Sequence, residues 1–157
     1  MSLVELLTAV AVVGILAGTS FNSSRRPLAH QQLLAATRQL ELGIEQARDQ
    51  AMDQQAPCAL ALGDAGWIEP EDGSLPACSQ AVGLLLSGDR GSSLQLDHNI
   101  TELQFTANGL VLGGGTVRLA LDGLAQERCV VISLPLGIVR RGVWQGEQCL
   151  PASKTMP

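Results

Sequence analysis

A chain of 157 residues with 46% apolar and 16% charged residues fits one modest domain and argues against intrinsic disorder. Aromatics make up 3%, with no Tyr, which argues against stacking platforms for single-stranded nucleic acid. Ten Lys+Arg against fifteen Asp+Glu leave a net charge of -5, so no globally basic nucleic-acid footprint exists.

Residues 1–24 read MSLVELLTAVAVVGILAGTSFNSS, and Glu5 is their only charge. As a helix, residues 1–21 would span about 30 Å, one hydrocarbon core. The apolar character runs all round, unlike a one-sided surface helix. A cleavable signal peptide needs basic residues before its apolar core, whereas Arg25 and Arg26 come after it. An already processed N-terminus fits better. A carboxylate in an apolar layer needs a cationic or hydrogen-bonding partner. The α-amino group of Met1, in a neighbouring chain, is the favoured candidate for Glu5. The competing reading is a headgroup-level acid at a helix start, where the dipole favours negative charge.

Pro27 removes an intrahelical hydrogen bond and predicts a bend. Beyond it Leu33, Thr37, Leu40, Ile44, Ala47 and Ala51 recur by fours and threes, which places them on one face. Glu41, Glu45, Arg48 and Asp49 fall on wetter sides, and Pro57 stops the pattern. The expectation is a long helix over residues 2–54, bent or melted around 14–27. Its first half seeks lipid or apolar helices, and its second half seeks a globular partner.

After Pro57 short apolar runs alternate with turn residues. CALALG, AVGLLLS, SSLQL, ELQFTA, GLVLG, TVRLAL, CVVISLP and IVRRGVW read as strands, punctuated by Gly109 and the glycines at 113–115. DAGWIEPEDGSLPAC reads as a loop. Its acidic residues Asp64, Glu69, Glu71 and Asp72 lack the oxygen-ligand order of a calcium loop and are read as solvated. The connections are too short for crossover helices, so a wholly parallel sheet is not expected. The fold class is α+β: a long N-terminal helix, membrane-embedded in its first half, packed against a small β-rich head.

Cys58, Cys78, Cys129 and Cys149 allow three complete pairings. Cys58–Cys78 with Cys129–Cys149 is preferred, because each pair brackets one loop-rich or hairpin segment. A four-thiolate zinc site is the competitor, without a close CxxC knuckle to support it. No enzyme is expected. His30 and His98 join no metal or nucleophile motif. The segment GLLLSGDRG at 83–91 lacks the Gly-Lys-Ser/Thr ending of a phosphate loop. No metal and no cofactor are expected.

The opening MSLVEL, followed by TAVAVVGILAG, resembles the mature N-terminus of type IV pilins and type II secretion pseudopilins. Relatives often carry Pro where this chain has Asn22. QARDQAMDQQ, FTANG, GGGTVRLAL and CVVISLPLGIVRRG resemble, in that order, segments of one subgroup. It holds type II secretion pseudopilin H and the fimbrial T and U minor pilins. The resemblance implies three parts: a membrane anchor and filament-core helix at 1–25, an amphipathic spine at 26–56 and a β-rich head at 57–157. It implies cleavage by a prepilin peptidase, N-methylation of Met1, and an assembly role for Glu5 against another subunit's N-terminus. Leu3, Val4, Leu6, Leu7, Val10, Val13 and Leu16 would line the filament core.

The implied partners are other pilin or pseudopilin subunits, an inner-membrane assembly platform and, before assembly, the lipid bilayer. The implied location is the bacterial inner membrane with a periplasmic head, then a periplasmic or extracellular filament. The leading function is a structural minor pilin acting in assembly of a type IV filament. The alternatives are a type II secretion pseudopilin, a major pilin, or a DNA-contacting minor pilin of natural transformation. For DNA, Gly137-Ile138-Val139-Arg140 resembles the Gly-Arg-x-Arg pattern of the fimbrial T type, with Ile138 in place of its first Arg. Arg140 and Arg141 are the candidate contacts, and Arg118 and Arg128 could join them. A structural arginine pair at a subunit interface ranks above that reading.

Overall fold

The computed structural model describes residues 4, 6–8, 10–13, 25–64, 66–71, 75–82 and 94–151. The long helix α1 spans Arg25–Asp53. Ala, Leu, Gln, Glu and Arg dominate it, all good helix formers. Pro27 lies in its first described turn, where a missing N–H is tolerated, and α1 continues through it. Its end is sharply defined. The Ala56 N–H donates to the Ala51 carbonyl at 3.2 Å and the Gln55 N–H to that of Met52 at 3.2 Å. Gln55 takes a left-handed φ of 49°, completing a Schellman closure without glycine.

Leu33, Thr37, Leu40, Ile44, Ala47 and Ala51 are all buried, as their spacing requires, and Ala36 and Gln50 widen the stripe. Two antiparallel sheets cover it. One has the order β2-β1-β4-β5, built from β1 (Cys58–Gly63), β2 (Gly66–Ile68), β4 (Leu103–Phe105) and β5 (Val111–Leu112). The other has the order β3-β6-β7-β8-β9. Its strands are β3 (Leu94–His98), β6 (Gly115–Leu121), β7 (Arg128–Ser133), β8 (Ile138–Gln145) and β9 (Gln148–Pro151). Strand alternation sends Val117, Leu119 and Leu121 of β6, with Val130 and Ile132 of β7, into the core. Leu60, Leu103, Phe105 and Val111 enter it from the other sheet.

Trp67 fixes the contact of helix and sheet. It lies over Gly43, and a β-carbon there would collide with its indole ring. Its Nε1–H donates to the Leu40 carbonyl at 3.2 Å. The segment read as a loop therefore holds β2 and the largest core side chain. Ala81 and Val82, read as the start of a strand, form a turn, and residues 83–87 of that run lie outside the described set.

Two disulfides, Cys58–Cys78 and Cys129–Cys149, each close a sequence separation of 20. The first ties the start of β1 to a segment that hydrogen-bonds Ala59 on both sides. Gln50 of α1 braces the same segment by accepting from the Gln80 N–H at 2.9 Å. The second joins β7 to β9 over Gly142, where a β-carbon would lie 2.8 Å from the Cys149 sulfur.

The membrane-embedded first half needs correction. No helix among the described residues is long and apolar enough to cross a membrane. Eight charges punctuate α1, from Arg25 to Asp53, and each would be expensive in hydrocarbon. The apolar residues described as helical before it reach only from Val4 to Val13. The expected lipid-embedded, inner-membrane stage is therefore not upheld by the described helices.

Candidate functional site

Val4, Leu6, Leu7, Val10 and Val13 are helical and 57–67% exposed. A row of exposed branched side chains on one helix is surface without a partner among the described residues. Met1, Leu3, Glu5 and Leu16 lie outside the described residues.

The head scatters the four arginines that sequence reasoning grouped. Strand alternation puts Arg140 and Arg141 on opposite faces of β8. Arg141 turns toward α1 and pairs with Glu41 at 3.5 Å. Arg140 is exposed on the other face. Arg118 grips Glu127 through two hydrogen bonds of 2.6 and 2.7 Å. Its guanidinium also stands 5.5 Å over the Trp144 ring and 4.0 Å from Asp97. The hydrogen bonds from Arg118 hold the Glu127 carboxyl below its usual range, and the same bonds raise Arg118. That charge is already matched, so it adds nothing to a phosphate-binding patch. Arg128 points inward, and its Nε is buried without a hydrogen-bond partner.

A cavity of about 430 Å³ opens between α1 and the β7–β8 face, with Thr37, Glu41, Arg128, Val139 and Arg141 on its walls. A second, of about 210 Å³, lies on the opposite face of β8, beside Val131, Arg140 and Pro151. Neither holds a nucleophile–base pair. His98 Nδ1 meets the carbonyl of Ile100 at 3.0 Å, a local turn contact. Among the described residues no three His, Cys, Asp or Glu side chains could hold a metal together.

The β7–β8 connection carries a surface that sequence reasoning missed. Leu134 and Leu136 are each 56% exposed, and Ile138 is 48% exposed. Arg48 of α1 donates to the Leu136 carbonyl, and the Val111 N–H donates to that of Pro135 at 2.8 Å. The tip is thus braced by the helix and by the other sheet. Its signal was the run LPLGI, whose apolar residues continue past the end of the strand.

The family described as Type II transport protein GspH matches residues 36–135. No curated protein and no solved structure matches the chain. The family match runs from the middle of α1 through β7 and includes Trp67 and the Cys58–Cys78 bridge. It ends before β8, so Arg140, Arg141 and Cys149 lie beyond it. Well over half of the chain is covered. The chain belongs to the GspH family of type II transport proteins.

Proposed function

We propose that this chain works as a pseudopilin, a structural subunit of the filament of a type II secretion system. The family match over residues 36–135 carries the reading. It favours the secretion pseudopilin over the type IV minor pilin that led the expectations from sequence. The role is structural and not enzymatic, as membership of this family implies. Association with other pseudopilins and with the secretion assembly platform follows from the same membership.

The finer assignments rest on the opening motif. Residues 1–25 serve as the filament-core segment, 26–56 as the spine and 57–157 as the head. A prepilin peptidase exposes Met1, whose amine is then methylated. Glu5 compensates the N-terminal charge of the neighbouring subunit during assembly. The exposed Val4, Leu6, Leu7, Val10 and Val13 support a helix that gains its partners only in a filament.

The test is incorporation. Glu5→Leu should leave the head folded but lower recovery of the chain in sheared or cross-linked filaments, and secretion should fall with it. Incorporation at the parental level would remove the role given to Glu5. Normal secretion after deletion of the whole chain, with loss of surface pili instead, would overturn the pseudopilin reading.

A further inference from the structure

We propose that the apolar tip formed by β5 and the β7–β8 connection docks a second copy of this chain, tip against tip about a two-fold axis. The proposal goes beyond the pseudopilin reading and does not rest on it.

Two stretches build the tip. In β5 Val111 is buried, so its neighbours Leu110 and Leu112 face outward, 38% and 48% exposed. Beside them runs the β7–β8 connection, whose Leu134 and Leu136 are each 56% exposed. The bond from the Val111 N–H to the Pro135 carbonyl joins the two stretches directly. Arg48 holds the Leu136 carbonyl from beneath. A β-carbon on Gly137 would lie 2.4 Å from Val111 and 2.7 Å from Arg48. Such close packing below the tip leaves its leucines no room to turn inward. The backbone is ordered before any partner arrives, which lowers the cost of binding.

The ends of the chain segments outside the described residues lie away from this surface. The turn before Val82 is braced by Gln50, about 200° around α1 from Arg48. Leu94 pairs with Leu121, at the opposite end of β6 from Gly115. Pro151 pairs with Gly142 on the edge of β8 that faces away from β7. Leu134 leans the other way, toward β6: a β-carbon on Gly114 would lie 3.1 Å from its Cγ. Ile138, on the edge strand itself, is not counted in the surface.

Four leucines at about half exposure present roughly 300–400 Å² of apolar surface, enough to mark an interaction site. That is most of the roughly 500 Å² of apolar area on one side of a standard homodimer interface. Charge selects the partner. Residues 103–117 and 129–139, which hold all four leucines, contain no charged side chain. A lipid surface is met by basic residues around the apolar ones, and a charged segment by opposite charges. Neither stretch supplies them. A chain of net charge -5 repels its own copies over much of its surface. At an uncharged apolar tip two copies meet without that repulsion, and one patch serves both sides of a two-fold contact.

The test is photo-crosslinking in cells that express two differently tagged copies of the full chain. A benzoylphenylalanine replacing Leu112 in one copy should capture residues 134–136 of the other. The reciprocal probe at Leu136 should capture residues 110–112. A probe replacing Glu147, at the far end of β8, should capture neither stretch. Leu134→Asp should lower capture from position 112 at least about tenfold, because a carboxylate would be buried unpaired. Leu134→Met should keep it, and unchanged tryptophan emission reports an intact head. Leu136→Asp serves in the same way if Leu134→Asp fails to fold.

Capture of a different surface of the second copy would overturn the proposal, since the contact would not be two-fold. Capture of residues 152–157 of the same chain would show the tip covered by its own tail, and capture of phospholipid would mark a membrane contact. Either result, or capture undiminished by both aspartates, would equally overturn it. Capture should persist in Glu5→Leu copies. The tip contact and the incorporation assay can therefore fail separately.

Discussion

Two residues carry backbone decisions with measurable consequences. Gly43 is required because Trp67 occupies the space of its β-carbon. Gly43→Ala would gain helix propensity, worth about 1 kcal/mol in an open site. It would also push the indole off the helix, break the bond from Trp67 to Leu40, and overpack a closed core at about 1–3 kcal/mol. The collision wins because the ring is rigid and fully buried. Urea unfolding should show net destabilisation, with a changed tryptophan emission in the native baseline. A more stable Gly43→Ala chain would mean the ring can move aside freely. Gln55 presents the reverse case. It holds a left-handed φ of 49° in a position that favours glycine. Gln55→Gly should raise stability by roughly 0.5–1 kcal/mol, after the extra entropy of glycine in the unfolded chain is subtracted. A loss in the same unfolding assay would show that the Gln55 side chain matters more than its backbone.

At the scale of elements, periodicity was legible and short pieces were not. The buried stripe of α1 follows from Leu33, Thr37, Leu40, Ile44, Ala47 and Ala51, because a 3.6-residue repeat leaves few other faces. The strands β1, β6, β7 and β8 announce themselves by runs of branched residues. The strand β2 does not: three residues, Gly66–Ile68, sit among Pro70 and acidic neighbours, and only tertiary packing on Gly43 makes them a strand. Arg140 and Arg141 show a similar limit. Their alternation was readable, but that Arg141 would meet Glu41 depended on where α1 lay. The Arg118–Glu127 clamp was not readable, since it joins β6 to the connection before β7. Its pH dependence follows from its sign. The Glu127 carboxyl is lowered in the folded chain by Arg118, so its contribution is present above the ordinary glutamate range. That contribution is lost as pH falls through the lowered value. Glu127→Gln should therefore be less stable than the parent at neutral pH and equal to it in strong acid. The gap will be small, because both groups face water. Parallel stability curves across the acid range would show that the clamp contributes nothing.

At the scale of the molecule, one helix is shared by two sheets, and covalent bonds supplement a core with little aromatic bulk. Trp67 and Phe105 are the only aromatic side chains buried in it among the described residues. Each disulfide closes a loop with a sequence separation of 20. In the chain-entropy account each therefore stabilises by about 3 kcal/mol, a large share of the total for a domain this small. Equal loops predict equal effects, and location breaks the tie. The Cys58–Cys78 bridge is anchored on both sides, by β1 and by the bonds of Gln50 to the following turn. Removing it should expose the Trp67 side of the core. The Cys129–Cys149 bridge holds β9 over Gly142, at the margin of the second sheet. Cys129→Ala with Cys149→Ala should free β9 first and leave β6 and β7 protected. Amide exchange resolves the two cases: local loss confined to β8 and β9 for the second pair, and loss spreading through β1, β2 and α1 for the first. Uniform loss in both variants would show that the two sheets unfold as one unit. The outer hairpin would then not be a separable layer on the helix and first sheet.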